Sequence, residues 1–556
     1  MTNSSAVVPS GCRSWRPGLR RTEVGDSLSA SSPLTQLRIG ASLAVVAGLA
    51  PLTALAADPT ATQAAGVAAD TVWVVVAAVL VLFMQAGFAM LEVGFTRMKN
   101  VGTVVAKIVV NLSVSSIMYW VVGFALAFGA ANATLFNFIG GSGFAPNFNP
   151  GSQMNLPAIA GSTTPAAAKF FFEFVFCAVS LAVVWGTMLE RTKFIVYILF
   201  AIPFSGFIYP LISHQLFGGG WLQSTVHAQD FAGSTVVHLT GATAGLAGLL
   251  LLGPRIGKYG RDKRPNAIPG HSMPLAQLGV IILWFGWFGF NPGSTLNATN
   301  LHFADVVITT NIAAAAGALA AMATIYIVQR SLDVGMIGNG AIAALVAITA
   351  PSGYVQPWAA IIIGAVAGVI VVVGVVLIDK VLDDPVGALS AHGLAGIWGT
   401  LSCGLFTDPF LAGVNQVGEG GLVYTGSLKQ LGSQAIAVST SFATVFILSL
   451  LLFGLIKMTV GLRVSPKDEI EGLDITEHGM WGYPEQFMPV PGGAYVHPDA
   501  VAESARRVAA LAGSGARGPA GPPPAPSVPR PPAPPPAVVP GGPPPPPSGY
   551  PGPGRR

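Results

Sequence analysis

The sequence predicts an all-α membrane protein of eleven transmembrane helices, arranged as two inverted five-helix repeats plus an eleventh helix, N-out and C-in. Three observations predict it: the composition, the length of the apolar blocks, and the distribution of Lys and Arg between them. Charged residues make up 9% and hydrophobic residues 52% of the 556, against roughly 25% charged in soluble domains. The apolar blocks reach the roughly 20 residues that cross a bilayer. A net charge of +4, scattered over loops, gives no basis for nucleic-acid binding. With Cys12 near the N-terminus and Cys177 and Cys403 in separate apolar blocks, neither a disulfide framework nor a CxxC metal site is available, and no cofactor is implied.

Taken in order, residues 1–57 read as a leader. Arg13, Arg16, Arg20, Arg21 and Arg38 precede an apolar run from Ile39, which ends at the small-x-small pattern Ala54-Leu55-Ala56. The alternative is an uncleaved first helix. The transporter domain, 70–462, then carries spans near 71–95, 101–130, 168–189, 194–213, 231–253, 273–295, 304–328, 335–350, 358–378, 389–407 and 434–458. With the first span starting outside, the inner loops hold Arg97, Lys99, Arg191, Lys193, Arg255, Lys258, Arg261, Lys263, Arg264, Arg330 and Lys380. The outer loops hold Lys429, with Lys169 at the edge of the third span. That asymmetry follows the positive-inside rule and sets the orientation.

The C-terminus divides in two. Residues 463–483 are charged and compact-looking, a structured cytoplasmic tail. Residues 484–556 read as a disordered, Pro-rich extension: 19 of the 38 residues from Pro519 to Arg556 are Pro, which precludes helix and leaves little to bury.

Ionisable side chains inside spans are costly and therefore candidates for function. Glu92, Glu173, Asp230, His238 and His392 stand out. His238 follows Asp230 by eight residues and His392 follows Asp384 by eight. DFAGSTVVHLTGATAG (230–245) and DDPVGALSAHGLAG (383–396) are weakly similar, five spans apart, and so would insert with opposite polarity. Inverted repeats of this kind place a substrate path at their interface, near the midplane. Each histidine alone could be a packed hydrogen-bonding residue. Asp230 could be an N-cap. Asp230, His238 and His392 could together ligate a metal in an intramembrane metalloenzyme, although the apolar surroundings offer no further ligand.

The run DFAGSTVVHLTGATAGLAGLLLLGPR (230–255) resembles the signature of the ammonium transporter (Amt/Mep/Rh) family. The resemblance extends to QAGFAMLEVGFTRMKN (85–100), FFFEFVFCAVSLAVVWGTMLER (170–191), GWFGFNPGS (286–294), DDPVGALSAHG (383–393) and the tail stretches GLRV and EGLDITEHG within 461–479. It implies a multi-pass inner-membrane protein, a homotrimer with one pore per subunit, that recruits ammonium or methylammonium and conducts ammonia. It also implies a PII-type regulatory protein as a partner at the cytoplasmic face.

By the same resemblance His238 and His392 match twin pore histidines, and Asp230 an aspartate below the vestibule. Phe176 and Phe290 match stacked phenylalanines at the pore entrance, Trp287 a pore-lining tryptophan, and Ser294 the recruiting hydroxyl. Two positions depart from the family. Phe217 aligns, across a one-residue insertion, with a recruiting tryptophan, and is the weaker cation–π partner. Glu173 stands where relatives commonly carry Gln, and is expected to face the vestibule. A different class of function also fits such a chain: an ammonium sensor or receptor signalling through its C-terminal tail.

Overall fold

The computed structural model describes residues 59–130, 138–149 and 163–487. Among these the chain is helical, with isolated bridges at Thr192–Arg463 and Tyr259–Pro265 and no named strand. The leader, and the Pro-rich extension beyond residue 487, lie outside the described residues. The described residues up to Gly482 form one unit. Beyond it, Pro484–Phe487 forms one helical turn at the head of the segment expected to be disordered.

Nine described helices are long and apolar enough to cross a membrane. They are α1 (Pro59–Phe95), α2 (Met98–Phe128), α3 (Ala166–Gly186), α4 (Phe194–Ser224), α5 (Ser234–Leu252), α6 (Met273–Gly293), α7 (His302–Gln329), α9 (Pro357–Ile378) and α11 (Lys429–Thr459). Between them lie α8 (Val334–Thr349), which is apolar but shorter, and α10, a π-helical turn at Leu389–Leu394 continuing as Ala395–Phe406. All eleven fall on the expected segments. The main difference is α1, which starts at Pro59, twelve residues ahead of the expected span. The added stretch is rich in Ala, a strong helix former, and ends at buried Asp70.

α1 packs along α6 in the most extensive helix pair of the bundle. The contact is backbone-close: a Cβ at Gly94 would stand 2.3 Å from the Ala276 amide nitrogen, and one at Gly279 2.3 Å from that of Leu91. Small residues allow such approach where no hydrophobic effect drives helices together in lipid. In the same way α7 packs on α8 and α9.

On one side of the bundle, four loops are tied by a buried charge network. Arg255 donates from Nη2 to Asp383 Oδ1 (2.8 Å) and from Nε to Oδ2 (2.9 Å), and its Nη1 reaches Glu190 (3.3 Å). Arg97 donates to Glu190 from its amide (2.6 Å) and Nε (2.7 Å), and Arg191 Nη2 donates to the Asp383 carbonyl (2.8 Å). Burial alone would raise the Asp383 carboxyl. The hydrogen bonds from Arg255 and the charges of Arg191 and Arg255 outweigh it and hold the group at about 2.

The tail packs on this same side as two short helices, Pro466–Glu471 and Leu473–His478. Glu469 accepts from the Ile256 amide (2.6 Å) and pairs with Arg463, while Lys99 donates to the Glu469 carbonyl (2.8 Å). Asp474 accepts from the amides of Gly102 (2.9 Å) and Thr103 (2.8 Å), and Glu477 from that of Phe194 (3.2 Å). The tail thus bridges to the loop following Arg255 at the first residues of that loop. Lys467, Asp468 and Glu471 instead pair locally within the tail.

Candidate functional site

A cavity of ≈ 300 Å³ opens on the side opposite the tail, lined by Glu173, Phe176, Phe217, Asp230 and Ser294 among others. Local chemistry holds each of them. Ser294 caps the end of α6, and its hydroxyl donates to the Phe290 carbonyl (2.9 Å), leaving oxygen lone pairs free to accept. The loop after it is anchored by Asp70, which accepts from the amides of Ala298 (2.7 Å) and Thr299 (3.0 Å) and from the Thr163 hydroxyl (2.8 Å). Phe217 stands half-buried at the C-cap of the Tyr209–Leu216 portion of α4. Glu173, one turn before Phe176 on α3, is buried, and its Oε2 has no hydrogen-bond partner among the described residues.

Asp230 does what the N-cap reading expects, and more. Its Oδ1 accepts from the amides of Gly233 (2.9 Å) and Ser234 (2.8 Å), and its Oδ2 from those of Thr235 (2.9 Å) and Val236 (3.0 Å). The helix starts at Ser234 rather than Phe231, because Gly233 turns the chain with φ +115°, a conformation open mainly to glycine. With both oxygens committed to four amides, Asp230 is a poor third ligand for a metal. Among the described residues no group of three or more His, Cys, Asp or Glu is placed to hold one.

Beneath the cavity the aromatic rings form a column. Phe176 and Phe290 stack with centroids 4.0 Å apart and planes 25° apart. His238 follows, stacked against Phe290 (5.5 Å) and Trp287 (5.3 Å). Trp287 is fixed by its Nε1, which donates to the Thr349 hydroxyl (3.0 Å). The Nδ1 atoms of His238 and His392 lie 3.3 Å apart, so one ring donates and the other accepts. The Nε2 of His238 is buried without a partner among the described residues. An orphaned polar atom of this kind costs about 1–3 kcal/mol, a penalty that a passing hydrogen-bonding solute would relieve.

Both histidines sit in π-helical turns, Ser234–Leu239 and Leu389–Leu394. In the first, the His238 amide reaches the Gly233 carbonyl (3.2 Å), five residues back. Such turns often mark functional positions. The second turn has its own acidic cap, Asp384, whose Oδ2 accepts from the Leu389 amide (2.7 Å). The shared Asp-x7-His spacing thus corresponds to a shared device: a carboxylate capping a wide turn that carries the histidine.

The structure places Glu173, Phe176, Phe217, Asp230 and Ser294 in the cavity wall and Phe290, Trp287, His238 and His392 in the ring column beneath it, while Glu92, also singled out from the sequence, lies apart from both. Sequence reasoning missed the π turns, which leave no mark in hydropathy. It also missed Lys107, a fully buried partner of Glu92, although an ionisable residue in an apolar block was signal enough.

A bundle of long apolar helices with a polar cavity, a stacked aromatic pair and a histidine pair beneath it defines a multi-pass membrane protein. The sequence model of the Ammonium Transporter Family matches residues 72–483, and the chain belongs to that family. It is 43% identical over 427 residues to the ammonium transporter Amt2 of Archaeoglobus fulgidus, an alignment covering 75% of this chain and 88% of that one. It is 33% identical over 424 residues to the ammonium transporter of Bacillus subtilis, covering 75% and 99%. These relatives are named as transporters, not enzymes. Among solved structures it resembles one titled Sensor Amt Protein, with TM-score 0.68 and 34% identity over 75% of this chain and 100% of that one. Mep2 of Candida albicans is also similar, with TM-score 0.64 and 27% identity over 72% and 87%.

Proposed function

We propose that the protein is an ammonium transporter of the cell's inner membrane, with eleven spans in two inverted repeats, N-out and C-in. In this reading the ≈ 300 Å³ cavity is the outer vestibule. Ammonium is recruited against the faces of Phe176 and Phe217 and the oxygen of Ser294, which together replace part of its hydration shell. Glu173 adds an unpartnered carboxyl oxygen to that wall, and Asp230 shapes the field while holding the turn before His238. The apolar column beyond disfavours a bare ion. The cation therefore gives up a proton and passes as ammonia once Phe176 and Phe290 part. His238 and His392 offer it donors and acceptors, and Trp287 holds the first ring. Potassium has nearly the same size but no proton to give up, so the same path rejects it. The subunits form a homotrimer, and the charged tail beside the inner mouths is the surface for a PII-type regulatory protein.

The observation that carries the reading is the histidine pair, set in series behind the stacked phenylalanines. The test is His238→Ala and His392→Ala in proteoliposomes, measuring methylammonium uptake and potassium conductance per folded protein. Pore residues predict lost uptake or new potassium leakage in each variant. Normal flux and selectivity in both, with only a loss of stability, would assign the pair to packing.

The resemblance to a structure titled as a sensor gives weight to a second reading, in which the same site binds ammonium to signal through the tail. Methylammonium uptake by transport-deficient cells expressing the protein separates the two.

A further inference from the structure

Glu92 and Lys107 play no part in the path described so far. Glu92 Oε2 is paired with the Lys107 ammonium, and the two side chains are 2% and 0% exposed. A buried ion pair gains little or nothing in stability over apolar residues of the same size, so packing alone does not account for it.

Its position does. Below His392 lies a second, small cavity of ≈ 20 Å³, lined by His392, Glu92, Asn339, Gly186 and Val386 among others, room for about one water molecule. Oε2 of Glu92 is occupied by Lys107, and Oε1 is turned toward the cavity wall. A Cβ at Gly186 would stand 3.0 Å from Val386 Cγ2, 3.5 Å from Ala388 Cβ and 4.0 Å from Glu92 Oε1. Among the described residues no hydrogen bond to Oε1 accompanies the Lys107 pair. His392 therefore meets His238 through Nδ1 and also borders the chamber that Glu92 borders. An imidazole can take a proton at one nitrogen and release another from the second.

We propose that Glu92 is the inner proton acceptor of the path, a role that rests on the deprotonating transport reading above. An N–H bond of ammonium breaks and a histidine N–H forms. The proton then leaves His392 through water in the small cavity, and an O–H bond forms at Glu92 Oε1. That bond breaks in turn to water or emerging ammonia on the tail side, so that one ammonium is moved in all. Lys107 occupies Oε2 and leaves Oε1 as the oxygen that accepts.

The experiment is ammonium-evoked charge displacement across proteoliposomes holding the full chain, run beside methylammonium uptake and normalised to folded protein. The informative variant is the double substitution Glu92→Gln with Lys107→Met, which removes both charges and leaves neither unpaired. The displaced charge is expected to fall by about tenfold or more, the scale of a lost acid–base group. Full charge displacement by the double variant would overturn the proposal and leave a structural ion pair. Glu92→Asp keeps the pair but withdraws the carboxylate by one methylene; a several-fold loss is expected, and an unchanged signal would overturn the proposal independently. Wild-type protein that takes up methylammonium without moving charge would overturn the proton route and leave the transport reading standing. Absence of any uptake by wild-type protein would instead sink the transport reading itself.

Discussion

Phe217 and Glu173 line the cavity at two positions where the sequence resemblance leads one to expect Trp and Gln. Phe217 lines the cavity together with Phe176 and Ser294. A half-exposed cation–π contact is worth about 0.5–1 kcal/mol. Phe217→Leu should therefore raise half-saturation for methylammonium by about two- to five-fold and leave selectivity unchanged. An unaltered concentration dependence would remove Phe217 from recruitment. Glu173 carries an unpartnered carboxylate oxygen in the same wall. In uptake assays at limiting ammonium, Glu173→Gln is expected to transport more slowly while keeping its maximal rate. Equal uptake at low concentration would assign the side chain to contacts between helices.

The loops between helices carry the clearest stability argument. Asp383 is buried against Arg255, with Arg191 close by. Asp383→Asn would leave the buried Arg191 guanidinium without its counter-charge and Arg255 with Glu190 alone, and breaking a buried pair in this way costs about 3–5 kcal/mol. A lowered unfolding temperature in detergent would report it, and a change within the error of wild type would exclude the network as a stabiliser. Because the folded carboxyl is held at about 2, below its unfolded value of about 3.9, its contribution is complete above that value. It is lost as pH falls from about 4 toward 2.

The bundle and its tail work as one body up to Gly482. Glu469, Asp474 and Glu477 join the tail to the ends of α2, α4 and α5. Deleting residues 463–483 should cut transport per inserted protein several-fold. Truncation from Gly513 should leave it unchanged, since a Pro-rich, charge-poor stretch has little to pack. Uptake measured at matched membrane expression tests both, and equal loss from the two truncations would contradict the division.

The sequence alone determined that the chain is membrane-embedded and helical, where its helices lie, and which residues are candidates for its chemistry. Those properties are local: apolar length, charge asymmetry, and costly ionisable residues in apolar blocks. Asp230 and Asp384 could even be paired by their spacing to the histidines. Only the tertiary structure decided that both aspartates cap π turns, that His238 and His392 face one another through Nδ1, and that Glu92 and Lys107 meet beside the chamber below. Hydrogen bonds reaching five residues back and contacts across 154 residues of chain have no hydropathic signature. They depend on how segments far apart in the chain pack against one another, which no local property of the sequence encodes.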